Sequence, residues 1–278
     1  IQSTCEPALR AVNRKGDWEA IMPRIKRLIG MNTIPIHVDL IAGLPFEDYD
    51  KLAFSFNEVY SLRANHFQLG YLKVLPGTEV MDRAEEWGLN YTPNPPYEVT
   101  GNRWLDPGKI KKIKAISKLV DKIYNSHRFI RTLESLRPLY SSPFNLFEAI
   151  SDGSARKSAA YTEMRWEYLA DIIIECALNR HMDKHYILDC LRWDWCESSA
   201  ANRIPKMLKT DAARQKRKDL LARFRKGWTV PAFEELNEAT VTTANIFFPE
   251  SAEFRDKYLA GKNCAVFLHG KKKPLFLD

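Results

Sequence analysis

The stretch IPIHVDLIAGLPFE, Ile34 to Glu47, decides the fold. Ile36, Val38 and Leu40 alternate with His37, Asp39 and Ile41, the period of two of a β-strand. The run is apolar enough on both faces to predict a central parallel strand covered on both sides. A carboxylate inside such a strand needs a partner, because burying it bare is costly. The strand ends at Gly43-Leu44-Pro45, a tight turn expected to expose backbone. Glu47 and Asp48 follow at a helix start, where negative charge suits the helix dipole. An acidic side chain near the C-terminal end of a parallel strand, beside a glycine turn, is where α/β barrels keep ligands.

Working outward, IQST at the start reads as the tail of a strand, and the spacing predicts helices over 6–13 and 17–29. After the central strand come a helix over 49–62, a strand over 67–75, and a helix over 79–87 ending at Gly88. Strand and helix in alternation predict a parallel α/β sheet or barrel. Residues 90–108 carry four prolines and two glycines and read as a linker. Beyond it the pattern is almost all helical: 107–127, 129–136, 143–151, 162–178, 184–196, 211–224 and 231–237. The last fifteen residues, CAVFLHGKKKPLFLD, read as two short strands around Gly270.

Hydrophobic residues make up 45% of the 278, enough for a substantial core, and no run of about 18 apolar residues suggests a membrane span. The five cysteines are scattered and odd in number, which points to a reducing cytoplasm rather than a disulfide framework. The strand-like opening at Ile1 suggests the C-terminal part of a longer protein. Net charge is +7, and residues 203–228 hold ten Lys or Arg against two Asp, so the rest is near neutral. We read that basic helix as a solvated face rather than an anion-binding surface.

IQST, the arginine of AVNRK, HVDLIAGLPFED and FQLGYLKVLPGTEV together resemble the C-terminal half of a radical S-adenosylmethionine (SAM) barrel, its strands four to six. DLIAGLP is the most specific piece. PPYEVTGNRWLD and the helical remainder resemble the tail of cobalamin-binding-domain-containing radical SAM proteins, the DUF4080 group. The resemblance implies half of a partial (β/α)6 barrel over residues 1–105 and a mainly helical domain over 106–278. It implies that Gln2 and Asp39 hold the ribose hydroxyls of SAM and that Arg14 meets the methionyl carboxylate. Ile41 and the Gly43-Leu44-Pro45 turn would contact adenine, and the backbone around Tyr71, Leu72 and Lys73 would read its edge. The residue types suit these roles, since hydroxyl pairs want a carboxylate acceptor and a carboxylate wants a guanidinium. No catalytic residue is assigned.

The resemblance further implies a 4Fe-4S cluster and a 5′-deoxyadenosyl radical made from SAM. The Cys-x3-Cys-x2-Cys loop for the cluster is absent here, so its ligands should lie upstream and this stretch should be inactive alone. Cobalamin, also outside this chain, and methyl transfer to an unactivated carbon follow from subgroup analogy only. The implied partners are the N-terminal remainder of the same protein, an electron donor such as flavodoxin or ferredoxin, and an unidentified substrate, with no membrane. Two other readings stand: an RNA-modifying radical SAM enzyme, and a non-catalytic protein-docking module.

Against these stand plainer roles. Asp39 suits a structural carboxylate, Arg14 a surface charge, and His37 a satisfied core histidine. His181 and His185, at helical i and i+4 spacing, can hold a metal, but no metal ligand is assigned.

Overall fold

The computed structural model describes residues 1–157, 165–199, 204–230, 236, 240–241, 244–268, 271 and 273–278. It is a mixed α/β structure, 53% helical, with small sheets and, among the described residues, no closed barrel. The chain divides into two units: residues 1–126 with 140–157, and residues 127–139 with 158–278.

In the first unit, Pro7 opens α1 (Glu6–Ala11), and Asp17 caps α2 (Trp18–Met31) by accepting the Ala20 N–H. The central stretch forms β1 (His37–Ala42). Asp48 then caps α3 (Tyr49–Ser61) through the Lys51 N–H at 2.9 Å, as a short acid at an N-cap should. β2 (His66–Tyr71) follows, then α4 (Glu79–Asp82), shorter than the predicted 79–87 because the chain goes on as turns to Gly88. The expected linker instead holds β3 (Asn90–Tyr91) and β4 (Val99–Gly101), an antiparallel pair. α5 (Pro107–Leu119) runs into a π-helical turn, Val120–Tyr124.

β1 and β2 pair in parallel, Val38 opposite Phe67 and Leu40 opposite Leu69. The α3 crossover between them requires that sense. Val38, Leu40, Ala42, Phe67 and Leu69 are buried on one face, where Phe56 of α3 packs its ring 4.9 Å from Phe67. The other face carries His37, Asp39 and Gln68 and is exposed. The expectation of a strand covered on both sides is therefore corrected. A side chain that sits in water needs no counter-charge, which is why Asp39 is tolerated in this run.

The expected strand at Ile1–Thr4 is also corrected. It contributes one ladder bond, Ile41 N–H to Gln2 O at 2.8 Å. Ser3 then turns the chain, its Oγ accepting the Cys5 N–H, and Pro7 commits it to α1. The sheet is thus two-stranded rather than three-stranded.

The two edges of this sheet differ. His66 N–H to Ile36 O and Leu72 N–H to Ala42 O fix the ladder. Alternation then points the backbone groups of Phe67 and Leu69 away from β1, and those of His37, Asp39 and Ile41 away from β2. The β2 edge is closed by side chains. The Asn125 amide accepts from Phe67 N–H and donates to Phe67 O, both at 2.9 Å, while Ser117 Oγ donates to Leu69 O. The β1 edge takes only Gln2 among the described residues. Asn125→Ala should therefore cost about 1–3 kcal/mol in urea unfolding by stranding the Phe67 groups. A loss under about 0.5 kcal/mol would mean water replaces the amide freely.

The sequence division after Leu105 does not match these units: α5 belongs to the first, as does α7 (Pro143–Arg156). The reason is that Ile110, Ile113, Ile116 and Leu119 are buried, and that Ser117 and Asn125 finish the β2 edge.

The second unit contains α6 (Ile130–Leu136), α8 (Trp166–Leu178), α9 (Lys184–Ser198) and α10 (Asp211–Arg225). β5 (Asn245–Phe247), α11 (Ala252–Leu259), β6 (Cys264–Phe267) and β7 (Leu275–Leu277) also belong to it. The predicted terminal hairpin is present as β6 and β7, and β5, not foreseen, pairs antiparallel with β6. The helix expected over 231–237 falls almost wholly outside the described residues.

Candidate ligand site

Gln2 and Arg14 line one groove of about 380 Å³, together with Ile1, Leu9, Trp18 and Ile21. Arg14 is placed by its backbone: α1 ends, Asn13 adopts a left-handed φ of 56°, and Arg14 N–H returns to Leu9 O at 2.8 Å. Gln2 is placed by its carbonyl, which accepts the Ile41 N–H. Asp39 lies two residues back along β1 on the exposed face, in register with Gln68, and is not part of the groove. On that same face His37 and His66 stack with ring centroids 4.9 Å apart, so His37 is not a core histidine.

The Gly43 turn is not bare, which corrects the expectation of exposed backbone. Gly43, Leu44 and Pro45 are buried. Gly43 has φ +88°, a backbone conformation that strains other side chains, and a Cβ there would lie 3.2 Å from the Val99 side chain, a tight contact. Asn102 Nδ2 donates to Gly43 O at 2.9 Å, while Asn102 Oδ1 accepts from Trp104 N–H and Leu105 N–H. The Phe46 and Trp104 rings pack 4.6 Å apart.

Tyr71 is half-buried, Leu72 buried and Lys73 exposed. Leu72 N–H bonds Ala42 O and Leu72 O accepts from Val99 N–H, so its backbone is already committed. Lys73 faces Glu98 in an antiparallel bridge flanked by Val74 N–H to Tyr97 O. In such a pair the Lys73 amide and carbonyl point away from Glu98. Burial pushes the Tyr71 phenol up to about 12.

Behind the turn lies a cluster the sequence did not single out. Glu47 is wholly buried. Its Oε1 accepts from Ser3 Oγ at 2.5 Å and Ser55 Oγ at 3.1 Å, and its Oε2 is buried with no partner among the described residues. Ser55 Oγ also accepts the Thr4 N–H at 3.1 Å. Burial pushes the Glu47 carboxyl up to about 7, against the two serine bonds that pull it down.

His181 stands just past the end of α8 and His185 at the start of α9. His185 Nδ1 lies 3.3 Å from Glu250 Oε2, and among the described residues no group of three or more His, Cys, Asp or Glu gathers. Cys5 is half-buried; the other four cysteines are buried.

A family model described as a protein of unknown function, DUF4080, matches residues 85–247, more than half of the chain. The chain belongs to the DUF4080 family. No curated protein matches it. The DUF4080 segment contributes Val99, Asn102 and Trp104, the residues that brace the Gly43 turn. The brace therefore belongs to the family segment, while the turn it holds precedes that segment.

Sequence read Glu47 only as an acid at a helix start, and it missed Ser3, Ser55 and Asn102. For Glu47 a faint signal existed: an acid four residues past the glycine of the turn. Serines and a lone asparagine in a loop give none.

Proposed function

We propose that this chain supplies the SAM-binding strands of a radical SAM enzyme together with its DUF4080 tail. The observation that carries the reading is the asymmetry of the sheet. Its β2 edge is closed by Asn125 and Ser117, whereas its β1 edge offers the backbone of His37 and Asp39 to another strand. α2 points the same way: none of its residues is buried, and Ile21 and Ile25 line the Gln2 groove. A sheet built to continue only beyond Gln2 suits the strands of a barrel half.

In this reading Gln2 and Asp39 hold the ribose hydroxyls and Arg14 the methionyl carboxylate. Ile41 supplies an apolar wall, and Lys73 offers an open backbone edge after β2. The Gly43 turn and Leu44 act as buried support for that wall. A 4Fe-4S cluster held by residues outside this chain would supply the electron that breaks the sulfonium bond. Cobalamin, equally outside it, belongs to the methyl-transfer version. The scattered cysteines, odd in number, support a reducing cytoplasm in this reading; among the described residues no helix is long and apolar enough to cross a membrane. The full-length protein, reconstituted anaerobically with iron and sulfide, should convert SAM to 5′-deoxyadenosine under dithionite, and residues 1–278 alone should not. Failure of the reconstituted full-length protein to do so would contradict the proposal.

RNA modification is the second reading, favoured only by α10 and the residue that caps it, where Arg214, Lys216, Lys218, Arg223, Arg225 and Lys226 are exposed. We expect RNA affinity to be weak and to fall steeply with salt. Tight binding at about 200 mM salt, abolished by Arg214→Gln, Lys216→Gln and Arg217→Gln together, would reverse the ranking.

A further inference from the structure

We propose that Glu47 is a protonation-controlled latch: neutral, it holds Ser3–Cys5 against α3 and so fixes Gln2 beside Ile41; ionised, it releases them. The geometry is a closed cluster. Glu47 Oε1 receives both Ser3 Oγ and Ser55 Oγ, Ser3 Oγ receives the Cys5 N–H, and Ser55 Oγ receives the Thr4 N–H and lies 2.8 Å from Thr4 Oγ1. Gln2 is thus bonded to β1, Ser3 to Glu47 and Thr4 to Ser55 of α3, while the Cys5 N–H turns back onto Ser3, so that every bond but that of Gln2 runs through this cluster.

Oε2 has no partner among the described residues and no water-facing surface. A proton on the carboxyl removes the charge that this oxygen would otherwise carry in an apolar setting. The titratable groups whose charge reaches Glu47 are Asp48, Lys51 and the Cys5 thiol. Asp48 opposes ionisation and Lys51 favours it, and both act less strongly than burial. With the latched carboxyl near 7 and a released one near 4.5, the latched state binds the proton more tightly. Latching is therefore strongest below the lower value, weakens as pH rises between the two, and levels off above the upper one.

The test is hydrogen exchange on the full-length protein, read as protection factors of the Thr4 and Cys5 amides after correction for intrinsic exchange. Wild-type protection should fall roughly fifty- to a hundredfold between about pH 5 and about pH 8 and stay flat above. Glu47→Gln keeps the acceptor oxygen and loses the titration, so its protection should be pH-independent. Ser55→Ala removes a bond to the charged form and should move the upper end of the window to higher pH. A flat wild-type profile, a Glu47→Gln profile parallel to wild type, or an unmoved window in Ser55→Ala would each overturn the latch. The consequence for SAM rests on the function proposed above and is measured separately, as affinity at about pH 6 and about pH 8. If the amides respond and the affinity does not, the latch stands and the assignment of Gln2 to SAM falls.

Discussion

Arg192→Ala should destabilise the second unit by about 3–5 kcal/mol, because it strips the counter-charge from a buried carboxylate. Arg192 is 4% exposed and Asp189 wholly buried. The guanidinium reaches Asp189 Oδ1 at 2.7 Å, Glu250 Oε2 at 3.2 Å and Leu208 O at 2.9 Å. Asp189 Oδ2 meanwhile accepts the Glu250 and Ser251 N–H groups at the start of α11. Burial pushes Asp189 up to about 6 even beside the arginine. Without Arg192 it should rise further, so the cost should shrink as pH falls toward about 5 and the carboxyl takes a proton. Denaturant unfolding followed by tryptophan fluorescence measures it. The double change Arg192→Met with Asp189→Asn should cost less than Arg192→Ala alone, since it leaves no bare charge. A single-mutant loss below about 1 kcal/mol would mean that water reaches Asp189.

Asp194→Ala should cost about 3 kcal/mol through a different route. α6 begins at Phe129 with no side-chain cap of its own. Asp194, from α9, supplies it instead: Oδ1 accepts the Arg131 N–H and Oδ2 the Thr132 N–H, both at 2.9 Å. Asp194 is 2% exposed, so alanine strands the buried Thr132 donor and the half-buried Arg131 donor, and water cannot readily replace the lost acceptor. Asp194→Asn keeps one acceptor and should lose less than half as much. Thermal unfolding gives the totals, and hydrogen exchange at Arg131 and Thr132 shows whether the loss is local to α6. Equal losses in the two variants would point to packing rather than capping.

What the sequence revealed and what it hid follow from the range of the interactions. Most helix positions from α1 to α10 were legible because caps and apolar spacing are local: Asp17, Asp48, Asp106, Ser142 and Asp183 all cap as short polar residues do. The parallel sense of β1 and β2 was legible from the helix between them. The exposure of Asp39 was not, because alternation tells which residues share a face and not whether that face is covered. The brace of Asn102 on Gly43 joins residues 59 apart in sequence, and the Ser3–Glu47 bond joins residues 44 apart. Neither leaves a periodic trace. The placement of α5 in the first unit was hidden for the same reason, since the bond from Ser117 to Leu69 spans 48 residues.

The central claim is that the rim formed by β1 and the Gln2 segment binds SAM, and calorimetric titration of SAM into the full-length protein tests it most directly. Asp39 stands on the exposed face of β1, so Asp39→Ala should leave stability within about 0.5 kcal/mol. In the proposed function its carboxylate accepts from the ribose hydroxyls, a charge-assisted bond of about 1.5–3 kcal/mol. The dissociation constant should therefore rise roughly ten- to hundredfold with the melting temperature unchanged. An unchanged SAM affinity in Asp39→Ala, or no SAM binding by the wild-type protein, would contradict the account.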